Sequence, residues 1–151
     1  MLKLCTITAA ALLLPLGMMA QDEHGHEGYG HALQNLRYAR ALLERGDRGW
    51  GPVAADQQRA TNQIDRAIEE LRRGAETKGR DRNEHPRIDA NWESRDRLRR
   101  ASEALSEARD EIGHDEGDRG ARELRERAYR HIDEAQRALH HAMDNWHGRG
   151  R

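Results

Sequence analysis

Three side chains that could bind a divalent metal follow one another near the end of this 151-residue chain. His140, Asp144 and His147 are spaced by four and three residues, so one face of a helix would carry all three. Two imidazoles and a carboxylate in this arrangement match the ligands of zinc or copper. The same spacing is also typical of a solvated helix surface, and we favour that plainer interpretation.

His24 and His26 form a second, looser group close to the amino terminus, and His31 follows them. Short histidine-rich tracts can bind metal through composition alone. A histidine in third place behind a free amine suits square-planar copper or nickel, which here requires cleavage after Gln21. We expect cleavage after Ala20, which removes that arrangement.

The familiar catalytic motifs do not occur in the sequence. It contains no Gly-x-Ser-x-Gly elbow, no phosphate-binding glycine loop and no His-Glu-x-x-His pair. A carboxylate-bridged metal centre of the ferritin type needs Glu-x-x-His on two helices. Glu111 and His114 supply one such pair, which Gly113 interrupts. The sequence therefore predicts a protein without enzymatic activity.

A further set of polar residues borders the predicted core. His131 flanks an apolar stripe, and Gln63 has the matching position in an earlier helix. A hydrogen bond between these two side chains would set the register of their helices. Asp65 and Asp133 flank the same seam, where arginines could pair with them. The predicted arginine partners are Arg37 and Arg99. We interpret this polar seam as structural.

Apolar residues recur at helical spacing in four segments. These segments must position the candidate metal ligands and the residues of the polar seam. The predicted helices are about 31–45, 53–77, 92–112 and 119–146. Each apolar stripe is narrow and rich in alanine, so no helix would be stable by itself. Four such helices can bury their stripes together. The sequence thus predicts an all-α four-helix bundle over residues 31–146, built from two helical hairpins, with a disordered carboxyl terminus at 147–151.

The two predicted hairpins resemble each other. The apolar positions of the first helix recur in the third after a shift of 62, and those of the second recur in the fourth after a shift of 68. Ile64-Asp65 and Ile132-Asp133 illustrate the second shift. The tetrapeptide Gly-Asp-Arg-Gly stands at 46–49 and again at 117–120. This pattern predicts an internal duplication.

The first twenty residues differ from the rest. A basic start at Lys3, a short apolar run and a small residue at Ala20 are typical of a cleaved secretory signal peptide. A retained membrane anchor is the alternative, but the run is shorter than the roughly 20 residues that span a bilayer. The sole cysteine, Cys5, lies inside this segment. We therefore expect a cysteine-free periplasmic or secreted bacterial protein, with a flexible tail over residues 21–30 and no membrane span after cleavage.

The charge pattern narrows the range of partners. The chain has 26 Lys and Arg against 27 Asp and Glu, for a formal net charge of −1. The two signs are interleaved, whereas a nucleic-acid or lipid surface attracts a clustered basic face. The sequence therefore predicts no nucleic-acid partner.

The polar segment Gly79–Ala90, with Asn83-Glu84-His85-Pro86 at its centre, resembles the linker in a group of small exported bacterial helical proteins. His31-Ala32-Leu33, Ala67-Ile68 and His131-Ile132-Asp133 resemble that group as well. The resemblance covers residues 31–146 and implies a small helical domain behind a signal peptide, without any assigned activity. Arg82 and Arg87 depart from the pattern, which has an apolar residue and a second proline there.

These observations predict an exported, non-enzymatic helical bundle with a structural or protein-binding role. The alternative is a periplasmic protein that binds or buffers zinc or copper through its surface histidines.

Overall fold

The computed structural model describes residues 27–44, 52–75, 88, 92–113 and 119–146. These residues form four α-helices and no strand, which confirms the predicted all-α class. The helices are α1 (Glu27–Glu44), α2 (Pro52–Ala75), α3 (Ser94–Gly113) and α4 (Arg119–Asp144). The predicted signal peptide at 1–20, the tail as far as residue 26 and the terminus at 147–151 lie outside the described residues.

Local sequence explains where several helices begin and end. Pro52 opens α2, where its missing N–H group is not needed and its fixed φ suits the first turn. At the start of α3, the Arg97 guanidinium donates hydrogen bonds to the Trp92 carbonyl at 2.7 Å and to Ser94 Oγ at 3.0 Å. At the end of α4, the Asn145 amide donates to the His141 carbonyl at 2.8 Å. These contacts link side chains near the two helix ends to the adjacent backbone.

The start of α1 corrects one predicted boundary. The tail was predicted to reach residue 30, but α1 already begins at Glu27. Tyr29 is 3% exposed and belongs to the core. Burial of this large aromatic side chain outweighs the cost of Gly28 and Gly30 in a helix, which is about 1 kcal/mol each relative to alanine.

The core consists of the predicted stripes, and their inward orientation confirms the helical periodicity. All four helices contribute alanine and leucine or isoleucine side chains that are inaccessible to solvent. The largest of these side chains are Leu36, Leu42, Ile64, Leu71, Leu98, Leu105, Ile112, Ile132 and Leu139. Ile88, between α2 and α3, also joins this cluster. Arg82 and Arg87 lie outside the described residues.

The helices are arranged in a ring in which α2 packs most extensively on α4 and α1 on α3. Smaller contacts between α1 and α2 and between α3 and α4 complete the ring. Antiparallel packing of α2 on α4 follows from contacts of Gln63 with His131 and of Glu70 with Arg127. The contacts of α3 with α4 show the same relation, so Ala75 and Ser94 lie at opposite ends of the bundle.

None of the helices that the structure describes combines the length and the apolar character needed to cross a membrane.

Candidate functional site

The interface between α2 and α4 holds a ladder of three polar pairs. On α2, Asp56, Gln63 and Glu70 are spaced by seven residues, or two helical turns, so all three lie on the side that meets α4. Their partners on α4, in the same order, are His141, His131 and Arg127. The heptad spacing on α2 and the antiparallel packing together place these pairs at successive levels of the bundle.

His131 occupies the middle of this ladder. Its Nδ1 lies 2.7 Å from Gln63 Oε1, so the imidazole donates to the amide oxygen from Nδ1. The bond joins the two residues expected at the polar seam. Burial lowers the pKa of His131 below its usual value, the positive charge of Arg66 lowers it further, and Glu70 acts in the opposite direction. The neutral imidazole is therefore the form that this interface favours.

Glu70 provides the negative charge of the pair with Arg127. Its side chain is 13% exposed, and its Oε2 accepts a hydrogen bond from Arg127 Nε at 2.9 Å. Arg73 approaches the other carboxylate oxygen at 3.5 Å from one turn along α2. Two guanidinium groups thus compensate one largely buried carboxylate.

Asp56 forms the pair with His141 and is the most deeply buried charged side chain described, with a side-chain exposure of 5%. Its Oδ2 accepts from Nδ1 of His141, and Arg59 lies 3.7 Å from its Oδ1. The Asn145 amide nitrogen lies 3.2 Å from both nitrogens of the same imidazole. A carboxylate on Nδ1 orients the imidazole, and the Asn145 amide lies within hydrogen-bond distance of Nε2.

Sequence analysis missed the role of Asp56. It recognised Gln63 at the seam but not that a residue seven positions earlier repeats the same orientation. The heptad spacing of Asp56, Gln63 and Glu70 was the available signal. It identifies a face of α2, but it does not reveal that this face meets α4.

The predicted metal ligands lie near the same end of the bundle. His140 and Asp144 are both exposed on α4, and Nε2 of His140 lies 3.5 Å from Ser102 Oγ on α3. His147, like His24 and His26, falls outside the described residues. Among the residues that the structure describes, no three His, Cys, Asp or Glu side chains are grouped as a metal site would require.

The two aspartates of the predicted seam are paired with arginines. Asp65 accepts from Arg40 Nε at 2.5 Å, and Asp133 accepts from Arg109. The prediction had named Arg37 and Arg99 for these positions. Arg99 lies 3.7 Å from Asp96 on its own helix. All four side chains in the two aspartate pairs are exposed by 40% or more, so these pairs lie outside the seam and in contact with water.

Aromatic and cationic side chains lie at the end of the bundle where α4 ends and where α2 and α3 begin. We call this region the His141 end. Trp92, Met143 and Trp146 are half-buried against the core there, and the Arg100 guanidinium stacks 4.0 Å above the Trp92 ring. The tryptophans thus cover the end of a narrow core while part of each ring remains exposed.

A shallow cleft opens between α1 and α2 beside this end. It measures about 160 Å³, and Arg40, Leu43, Gln57 and Thr61 contribute to its lining. Pockets that enclose small organic ligands usually measure about 300–1,000 Å³. Arg40 is already paired with Glu44 at 3.0 Å and with Asp65. We therefore attach no ligand to this cleft.

No family model matches this chain, and no curated protein or solved structure matches it at a significant level. Its function is therefore inferred from its own residues.

Proposed function

We propose that this chain is an exported, non-enzymatic helical-bundle protein that binds another protein through its His141 end. The observation that carries the proposal is that Trp92, Met143 and Trp146 at this end are only partly buried, with Arg100 stacked on Trp92. Aromatic residues, Met and Arg are enriched at the centres of protein interfaces, and Trp and Arg dominate their binding energy.

The outer faces of the helices offer a contrasting surface. Charged side chains there pair with neighbours one turn away, as Arg137 does with Glu134 at 2.6 Å. Arg137 is 69% exposed, so water competes strongly for such a pair. A partner would gain more by covering the aromatic group of the His141 end than by displacing these solvated pairs.

The proposal can be tested by using the protein as bait to capture partners from the periplasmic and secreted proteins of the cells that produce it. Wild-type protein is compared with Trp146→Ala and with Arg137→Ala as a matched control on the outer face, after circular dichroism has shown that all three are helical. We expect one partner to be captured by the wild type and the control but not by Trp146→Ala. Equal capture by all three, or none by any, would refute a binding role for this end.

Export rests on the amino-terminal pattern. We propose that residues 1–20 are removed as a signal peptide, so that the mature protein begins at Gln21 in the periplasm or outside the cell. Mass spectrometry of the protein recovered from cell fractions tests this directly. An intact Met1 on cytoplasmic protein would contradict it.

The proposed domain history is a duplicated helical hairpin. Gln63 and His131, which contact each other, are separated by 68 residues, the same shift that relates the apolar stripes of α2 and α4. In a pair of antiparallel equivalent helices, residues related by the repeat meet where a twofold axis passes. This contact therefore supports the proposal that two hairpins pack as symmetry-related halves.

Zinc or copper binding is the alternative function, and the exposure of His140 and Asp144 on one face of α4 favours it. Calorimetric titration of the mature chain with each metal distinguishes the two proposals. Affinity no better than millimolar eliminates the metal-binding alternative, whereas micromolar affinity lost in His140→Gln would establish it.

A further inference from the structure

The central pair of the α2–α4 ladder differs from its neighbours because it places a titratable imidazole opposite an uncharged amide. Its neighbour Glu70 is 13% exposed and lies opposite Arg127. His131 lies opposite Gln63, whose amide oxygen accepts one hydrogen bond but carries no charge. A protonated His131 would therefore have no charged side chain directly opposite it on α2.

The surrounding charges also oppose an imidazolium. From α2, Arg66 repels a positive charge at His131 and Glu70 attracts it; from α4 itself, Arg130 repels it. The Glu70 carboxylate is already compensated by Arg127 at 2.9 Å and by Arg73 at 3.5 Å.

The α3 charge that contacts α4 near this level pairs with a different side of α4. On α3, Arg109 is bound to Asp133, two residues along α4 from His131. A protonated imidazole would thus be a further cation close to the positive charges of Arg66 and Arg130.

We propose that His131 makes the α2–α4 interface acid-sensitive, so that its protonation loosens α2 from α4. The direction follows from proton linkage. A histidine whose pKa is lower in the folded than in the unfolded chain binds fewer protons when folded. Its contribution to stability is complete above the unfolded pKa of about 6.5 and is lost as the pH falls through the folded pKa. Below that value the dependence disappears.

The test compares urea unfolding of the full chain at pH 7.5 and pH 5.5 for the wild type, His131→Gln and His31→Gln. His31 is exposed on α1 and serves as the matched control. The measured quantity is the unfolding equilibrium constant at pH 5.5 divided by that at pH 7.5. We expect it to be severalfold larger for the wild type and for the control than for His131→Gln. Equal ratios in all three proteins would overturn the proposal.

A second variant should reverse the effect. Gln63→Glu places a carboxylate opposite His131, so acidification should now strengthen this pair and the ratio should fall below that of the wild type. An unchanged ratio in this variant would contradict the assigned geometry.

Two measurements on the unaltered chain keep the proposal falsifiable if a variant fails to fold. A nuclear magnetic resonance titration should give His131 a pKa below 6.5, and a value at or above 6.5 would overturn the proposal. Hydrogen exchange, corrected for its intrinsic pH dependence, should accelerate in α2 and α4 more than in α1 and α3 at pH 5.5. Equal acceleration in all four helices would mean that acid destabilises the whole domain and not this interface.

Discussion

Helix α4 contacts two neighbours through different kinds of polar pair. Towards α2, the Asp56 and Glu70 carboxylates are 5% and 13% exposed, and their partners His141 and Arg127 are 64% and 37% exposed. Towards α3, the Arg109 and Asp133 side chains are 43% and 40% exposed. The same α3 face also carries two solvent-exposed contacts, between Ser102 and His140 at 3.5 Å and between Ser106 and Gln136 at 2.8 Å.

The difference indicates that the contribution of a polar pair to stability depends more on its burial than on whether the bond is present. Water competes for exposed groups in both the folded and the unfolded chain, so an exposed ion pair contributes about 0–1 kcal/mol. A largely buried carboxylate has lost its water and depends on its protein partners, so removal of its charge should cost more than at an exposed pair. The α2–α4 interface should therefore be the more specific and the more pH-sensitive of the two.

The largest effect on the free energy of unfolding is expected in the core, which borders both interfaces of α4. Ile132 on α4 is fully buried, and Ile132→Ala should lower the free energy of unfolding by about 2–5 kcal/mol because it leaves a cavity. Urea denaturation followed by circular dichroism measures the loss. Arg137→Ala, at a position 69% exposed, is the control and should stay within about 0.5 kcal/mol of the wild type. A cost similar to that of the control would mean that α4 does not face the core as described.

The second effect concerns the buried side of the comparison. Glu70→Gln should lower the free energy of unfolding by about 1–3 kcal/mol, because Arg127 loses a charged partner that is 13% exposed. Part of the loss should persist in 1 M salt, since the Glu70 carboxylate is largely buried although Arg127 is 37% exposed. Urea denaturation at low and high salt checks both statements. If 1 M salt abolishes the loss, Glu70 is solvated and the ladder is not a buried feature.

The third effect concerns the exposed side and is the smallest. Asp133→Asn should cost about 0–1 kcal/mol, because both partners of the Arg109–Asp133 pair are at least 40% exposed. Any loss should vanish in 1 M salt, where the Debye length is about 3 Å. The same denaturation series provides the measurement. A cost equal to that of Glu70→Gln would remove the distinction between the two faces of α4.

The pairing of Asp65 and Asp133 illustrates how far the sequence could predict contacts. That these aspartates bind arginine followed from their place beside the apolar stripe. Which arginine did not follow, because the long Arg side chain reaches several positions along a neighbouring helix. The observed partners Arg40 and Arg109 also differ in their offsets between the two halves of the chain.

The sequence alone determined the number of helices, their approximate bounds and the faces that are buried. Helical periodicity is a local property, because the backbone places every third or fourth side chain on one face whatever the rest of the chain does. It also placed Gln63 and His131 beside the same predicted seam.

The tertiary structure decided which faces meet. Packing depends on how side chains from distant segments fit together, and no local period encodes that choice. It set α2 chiefly against α4 and α1 against α3. It also drew Tyr29 into the core and buried Asp56 beside His141. The ladder and the acid-sensitive position of His131 exist because two helices 68 residues apart share one interface.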